Sequence, residues 1–182
     1  MTTKRYSAAL RKMANIAYRR WDAAHDDRTN WGITDANDTM HVSGLPLAPL
    51  VGQGIEPKSF KSTAVYLLLS TVTMGTKQKG FADTDPVYTT TGDFVLNLYY
   101  PLTQTERVDS YQLARALAEY LRDGFIEGAS IADADDFGIM FFEPSVMEKM
   151  LYADREEIGR KFYRFNAQVR YMFDECPTAH YA

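Results

Sequence analysis

Two hydrophobic periods alternate along this chain. The clearer is a period of two at 163–173, "YRFNAQVRYMF". Tyr163, Phe165, Ala167, Val169, Tyr171 and Phe173 fall on one side. Arg164, Asn166, Gln168 and Arg170 fall on the other, with Met172 the exception. This predicts a strand with one face on a core and the other meeting solvent or a partner. "DFVLNLYY" at 93–100 repeats the pattern, with Phe94, Leu96, Leu98 and Tyr100 opposed to Val95, Asn97 and Tyr99. "STAVYLLLSTVTM" at 62–74 is apolar and β-branched on both sides, as in a strand covered on both faces. "FGIMFFEP" at 137–144 reads as a short buried strand.

The second period is helical. At 4–24, Tyr6, Leu10, Met13, Ile16/Ala17 and Arg20/Trp21 recur every three or four positions, with Lys and Arg elsewhere. The pattern fits a helix docked on the domain or an arm that binds a partner. After Pro101, Leu113/Ala114, Leu117, Leu121 and Phe125 form a core-facing helical stripe. Thr103 and Glu106 are spaced as a capping box, Ser110 is an alternative start, and Gly124 or Gly128 supplies the stop.

Three stretches have no such period. Residues 26–61 are rich in Gly and Pro, with an apolar middle, "LPLAPLVG", expected to lie on this subunit or on a neighbour. "GTKQKGFADTDPVYTTTG" at 75–92 reads as a long polar hairpin loop or a loop with frayed strand ends, expected to be mobile in a free subunit and ordered in an assembly, with Phe81 either a candidate anchor or a solvent-exposed side chain. "SVMEKMLYADREEIGRK" at 145–161 fits either a short helix capped by Ser145 and Glu148 or an excursion between paired strands. The order is therefore α, long loop, β, β, α, β, β. It divides into an N-terminal helix (1–25), an irregular arm (26–61), an α/β domain (62–175) and a tail (176–182).

Composition narrows the function classes. At 46% hydrophobic and 13% aromatic the chain can build a core, which excludes wholesale disorder. Twelve Tyr and ten Phe suit surfaces that alternate between wet and buried. A net charge of −4 gives no basic face for nucleic acid. The single Cys, Cys176, excludes an internal disulfide framework and fits a reducing compartment. With no leader pattern and no apolar run long enough to span a bilayer, a soluble protein made inside the cell is expected.

No motif points to catalysis. His25, His41 and His180 have no ligand spacing, and Cys176 has no local base to activate it. "DADDFGIMFFE" places Asp133, Asp135 and Gly138 as in a calcium loop, but Phe137 and Pro144 stand where oxygen ligands are required. "GQG" at 52–54 lacks a third Gly and a preceding strand, and the "NDT" sequon at 37–39 has no secretory signal beside it. The expectation is no catalytic residue, no metal and no cofactor.

The succession from residue 60 to 175 resembles the tail terminator, or tail completion, proteins of long-tailed bacteriophages. The resemblance is carried by "GDFVLNLYYP", a turn, "YQLARALAEYLRDGF", the strand "FGIMFFEP" and the closing "FYRFNAQVRYMFDE". It implies an α/β (α+β) fold, one mixed or antiparallel sheet with helices packed on one side. It also implies a homo-oligomeric ring, commonly a hexamer, that caps the tail tube protein and meets the neck or head-completion connector, in a virion assembled in the host bacterial cytoplasm. Neither membrane nor sequence-specific nucleic-acid binding is expected. Contacts are expected at Phe81, Tyr99, Arg164, Gln168 and Arg170. "LTQTERVDS" replaces the family's Gly-rich turn, and the N-terminal helix and its loop are larger than the pattern requires. A neighbouring neck or head–tail connector protein, another contractile-apparatus ring subunit, and a small ligand-binding or enzymatic α/β domain are the alternatives.

Overall fold

The alternating stretches pair into one sheet, and the helical stripes cover one of its faces. The computed structural model describes residues 4–27, 29–32, 40–43, 63–82, 85–102, 107–127, 138–148 and 162–175. In chain order these form α1 (Lys4–Asp26), β1 (Met40–Ser43), β2 (Val65–Ala82), β3 (Asp85–Pro101), α2 (Arg107–Glu127), β4 (Met140–Glu148) and β5 (Phe162–Glu175). The sheet order is β1-β2-β3-β5-β4. β2, β3, β5 and β4 are successively antiparallel, and β1 lies parallel to the start of β2. The fold is thus α+β, a mostly antiparallel sheet with both described helices on one side.

The core lies between that sheet face and the helices. Phe94, Leu96 and Leu98 of β3 and Phe165, Val169 and Phe173 of β5 are all buried against it. From α2, Leu117, Leu121 and Phe125 complete the predicted stripe, while Leu10, Met13, Ala17 and Trp21 bring α1 into the same core. Burying each such large side chain contributes about 1.5–3 kcal/mol. α1 is therefore a docked helix rather than a detached arm.

Its approach to α2 depends on Gly124. A Cβ at Gly124 would stand 2.8 Å from Cγ of Arg20 and 3.3 Å from Cγ2 of Ile16. Gly124 lies inside α2 and does not end it. After α1 the chain turns at Gly32, whose φ of 67° favours glycine. The Tyr100 hydroxyl donates to the Trp31 carbonyl at 2.5 Å, pinning this turn to β3. Burial pushes the Tyr100 phenol up to about 12.

Several elements differ from expectation. Met40–Ser43, inside the supposed irregular arm, form β1 by pairing with Val65–Leu68; four residues are too few for alternation to register. The supposed loop at 75–92 is the outer half of the β2–β3 hairpin, paired as far as Ala82 opposite Asp85. It needs few apolar residues because it extends past the core. Bulges lie between Thr73 and Gly75 and between Gln78 and Gly80. Asp174 of β5 holds this hairpin, accepting from Lys79 Nζ at 2.8 Å and Thr89 Oγ1 at 2.5 Å.

β4 is an edge strand with one exposed side, not a buried strand, and it continues to Glu148. Ser145 and Glu148 therefore cap no helix. Ser110 lies within α2, which begins at Arg107. The capping pair Thr103 and Glu106 falls outside the described residues, as do Gly128, Cys176 and His180. β2 is covered on both faces only near its start.

Candidate functional site

Both described helices pack on one face of the sheet, and among the described residues those on the opposite face form a separate surface. Register aligns them in rows. Tyr66 pairs with Tyr99 and Tyr99 with Arg164; Leu68, Asn97, Asn166 and Met147 form the next row. Ser70, Val95, Gln168 and Ser145 follow, then Val72, Asp93, Arg170 and Phe142. At one end Ala64, Tyr66, Tyr99 and Phe162 make a small buried cluster, with the Phe162 ring edge-on to both tyrosines.

Polar groups occupy the middle. The Arg164 guanidinium lies 5.2 Å from the centre of the Tyr99 ring, and its Nη2 donates to Asn97 Oδ1 at 3.3 Å. Asn97 Nδ2 in turn donates to the Leu68 carbonyl at 3.2 Å and to Ser70 Oγ at 3.1 Å. One row further, both carboxylate oxygens of Asp93 are engaged. Gln168 Nε2 reaches one at 2.8 Å, and Arg170 Nε reaches the other at 3.3 Å. Asp93 is 15% exposed and Arg170 47%, so the pair holds the acid inward and leaves the guanidinium facing out.

Two polar atoms in this middle region remain unsatisfied. Nε of Arg164 and Oδ1 of Asn166 are buried and have no hydrogen-bond partner among the described residues. A buried polar group left so costs about 1–3 kcal/mol. Apolar side chains rim the face: Val72, Met140, Phe142 and Met147 are all more than one-third exposed.

At the lower end of β4, the Tyr111 hydroxyl of α2 donates to Glu148 Oε2 at 2.8 Å. That hydrogen bond raises the Tyr111 phenol above its ordinary value. On the hairpin side, burial by itself would raise Asp174, but hydrogen bonds from Lys79 and Thr89 and the Lys79 charge hold it below the ordinary value.

Of the expected contact residues, Arg164, Gln168 and Arg170 come together on this face. Tyr99 joins them but is only 3% exposed, so it supports Arg164 from beneath instead of meeting a partner. Phe81 stands apart near the far end of β2, its backbone opposite Pro86, with its side chain outside the described residues. Sequence reasoning passed over Asp93, although the period-two pattern of β3 already placed it opposite Phe94. It also passed over the rim residues of β4: Met140 and Phe142 fall in the stretch expected to be buried, and Met147 in the stretch with two open readings. Among the described residues no group of His, Cys, Asp and Glu could hold a metal ion, and no helix is long and apolar enough to cross a membrane. What this face offers is hydrogen-bonding capacity and apolar area on a rigid sheet. No protein-family model matches this chain, and no curated protein matches it.

Proposed function

We propose that this protein is a structural subunit of a tailed-bacteriophage virion, a tail terminator or tail completion protein. As such it forms a ring, expected to be a hexamer, that caps the tail tube and joins it to the head–neck connector. The resemblance over residues 60–175 supports this reading, and the layout it implies, one sheet with helices on one side, is the layout of the chain. The observation that carries it is the uncovered face. Its polar side chains are ordered by each other, its rim is rich in Met and Phe, and the Arg170 guanidinium faces outward. Arg, Met and aromatic residues are enriched at protein interfaces, and the outward-facing Arg170 guanidinium and the exposed apolar rim are the groups a partner would meet.

The test is assembly. Size-exclusion chromatography with light scattering is expected to show rings, or association once tail tubes are added, and electron micrographs to show tubes of fixed length. Arg170→Ala is expected to keep its melting temperature and weaken association by about tenfold or more, equivalent to about 1.4 kcal/mol. A wild-type protein that neither self-associates nor binds tube ends, with tails of unchanged length in its absence, overturns the reading.

A further inference from the structure

We infer that copies of this chain join head to tail through their sheet edges, the uncovered part of β2 in one copy pairing antiparallel with β4 of the next. This rests on the reading above that the subunit works in a closed ring of copies, and it names the contact that builds the ring.

Three observations carry it. The first is the free edge. β1 lies beside Val65–Leu68 only, and from Leu69 onward no described strand covers the outer side of β2. Backbone N–H and C=O groups there, without a ladder partner among the described residues, fit another strand as their occupant.

The second is polarity and level. β3 runs against β2, β5 against β3 and β4 against β5, so β4 runs opposite to β2. A neighbour in the same orientation therefore brings β4 to β2 antiparallel, with its helices on the same side. The levels also match. Register carries Val72 through Asp93 and Arg170 to Phe142, and Gly75 through Thr91 and Met172 to Met140. By the same route Val146 is level with Leu69, so β4 from Met140 to Val146 matches the first part of the uncovered stretch, Leu69 to Gly75, without axial offset. Met147 and Glu148 lie at the level of β1 and do not enter the ladder.

The third observation is where the exposed apolar residues are. The large hydrophobics exposed among the described residues are Val72, Met74, Met140, Phe142 and Met147, and all stand on β2 or β4. Val72 is 57% exposed and Phe142 39%, and they share a face and a level at opposite edges. Each is open within one subunit; joining edges puts one against the other. Beyond Gly75 the β2 edge carries Lys77 and Lys79, which discourage pairing there. In β4 the bulge between Phe142 and Ser145, with Glu143 at a φ of 44° and Pro144 after it, limits the edge to short runs. Two different edges meeting head to tail make a heterologous contact, which can close into a ring.

Directly opposed residues of an antiparallel pair have Cα atoms about 4.5–5.5 Å apart, within the range that a disulfide accepts. In a Cys176→Ser background, Val72→Cys and Phe142→Cys proteins are prepared separately, then oxidised alone and mixed. The expected result is a covalent dimer in the mixture and none in either protein alone. Val72→Lys and Phe142→Lys should each abolish assembly with the melting temperature unchanged. Dimers in the separate proteins would mean like edges meet, and would overturn the head-to-tail contact. Absence of the mixed dimer in material that light scattering shows to be assembled overturns the edge contact but leaves the proposed function standing. A mixed dimer from a protein that never binds tail tubes keeps the contact and overturns that function. A chain that stays monomeric and uncrosslinked, with or without tubes, overturns both.

Discussion

Arg164 and Arg170 occupy the same face of the same strand, yet their removal should have different consequences. Arg164 packs on the Tyr99 ring and donates to Asn97. Truncation to Ala removes a cation–π contact worth about 0.5–2 kcal/mol and the aliphatic stem covering an almost fully buried tyrosine. It also deprives the part-buried Asn97 acceptor of its donor, at about 1 kcal/mol. The unsatisfied Nε leaves with the side chain and returns part of that loss. The net expectation is a destabilisation of about 1.5–3 kcal/mol. Arg170 is 47% exposed, and its 3.3 Å contact with Asp93 is a partly solvated ion pair. After solvent screening such pairs contribute about 0.2–1 kcal/mol. Asp93 also keeps its hydrogen bond from Gln168.

In a chain of this length 1 kcal/mol moves the melting temperature by about 2–4 °C. Arg164→Ala should therefore lower it by about 3–12 °C, and Arg170→Ala by less than about 4 °C. Thermal unfolding followed by near-ultraviolet circular dichroism, with urea midpoints at an unchanged m-value, separates them. Equal small shifts would refute the packing of Arg164 on Tyr99; equal large shifts would refute the solvated character of Arg170. The double substitution alone would mix stability with assembly. For that reason Arg170 is the residue on which an assembly defect can be read cleanly.

Phe165→Ala, at a side chain 2% exposed between the sheet and Tyr111 of α2, should cost about 3–5 kcal/mol, measured as a lowered urea midpoint. Gly92→Ala should also destabilise, by about 1–3 kcal/mol: an added Cβ would stand 2.6 Å from the Val72 carbonyl oxygen and 2.5 Å from the Tyr171 hydroxyl, and only the tyrosine can move aside. An unchanged midpoint would mean β2 and β3 separate more readily than the ladder implies. The depressed Asp174 carboxyl contributes stability that is present above its ordinary value of 3.8 and is lost as pH falls through its lower folded value. Asp174→Asn should flatten that acid limb of a urea-midpoint profile, and an identical limb in both proteins would remove Asp174 as its source. The Tyr100 phenol, raised to about 12 from 10.0, contributes stability fully present below 10.0 and lost as pH rises through about 12; Tyr100→Phe should remove this alkaline dependence in the same measurement.

How much of this was legible in the sequence depended on whether each constraint was local. The alternation of β5 predicted both of its faces because the core demands apolar residues on one side along nearly the whole strand. β2 was read as covered on both faces, which holds near Tyr66, inside the small buried cluster, and fails at Val72. Hydrophobicity alone cannot distinguish a residue buried in its own chain from one left open at an edge. The outer hairpin was misread for the converse reason. Past the core, β2 and β3 are held by backbone ladders, the Thr76–Thr90 hydroxyl contact and Asp174, none of which needs an apolar period. Its Thr89–Thr91 run was the available strand signal, but the neighbouring Gly and Lys residues outweighed it. The level match between Val72 and Phe142 has no local signal at all. It exists because three successive ladders transmit register from one edge to the other. A one-residue slip in any of them would turn one partner to the helix face, so the proposed contact depends on the precision of the whole sheet rather than on the residues that meet.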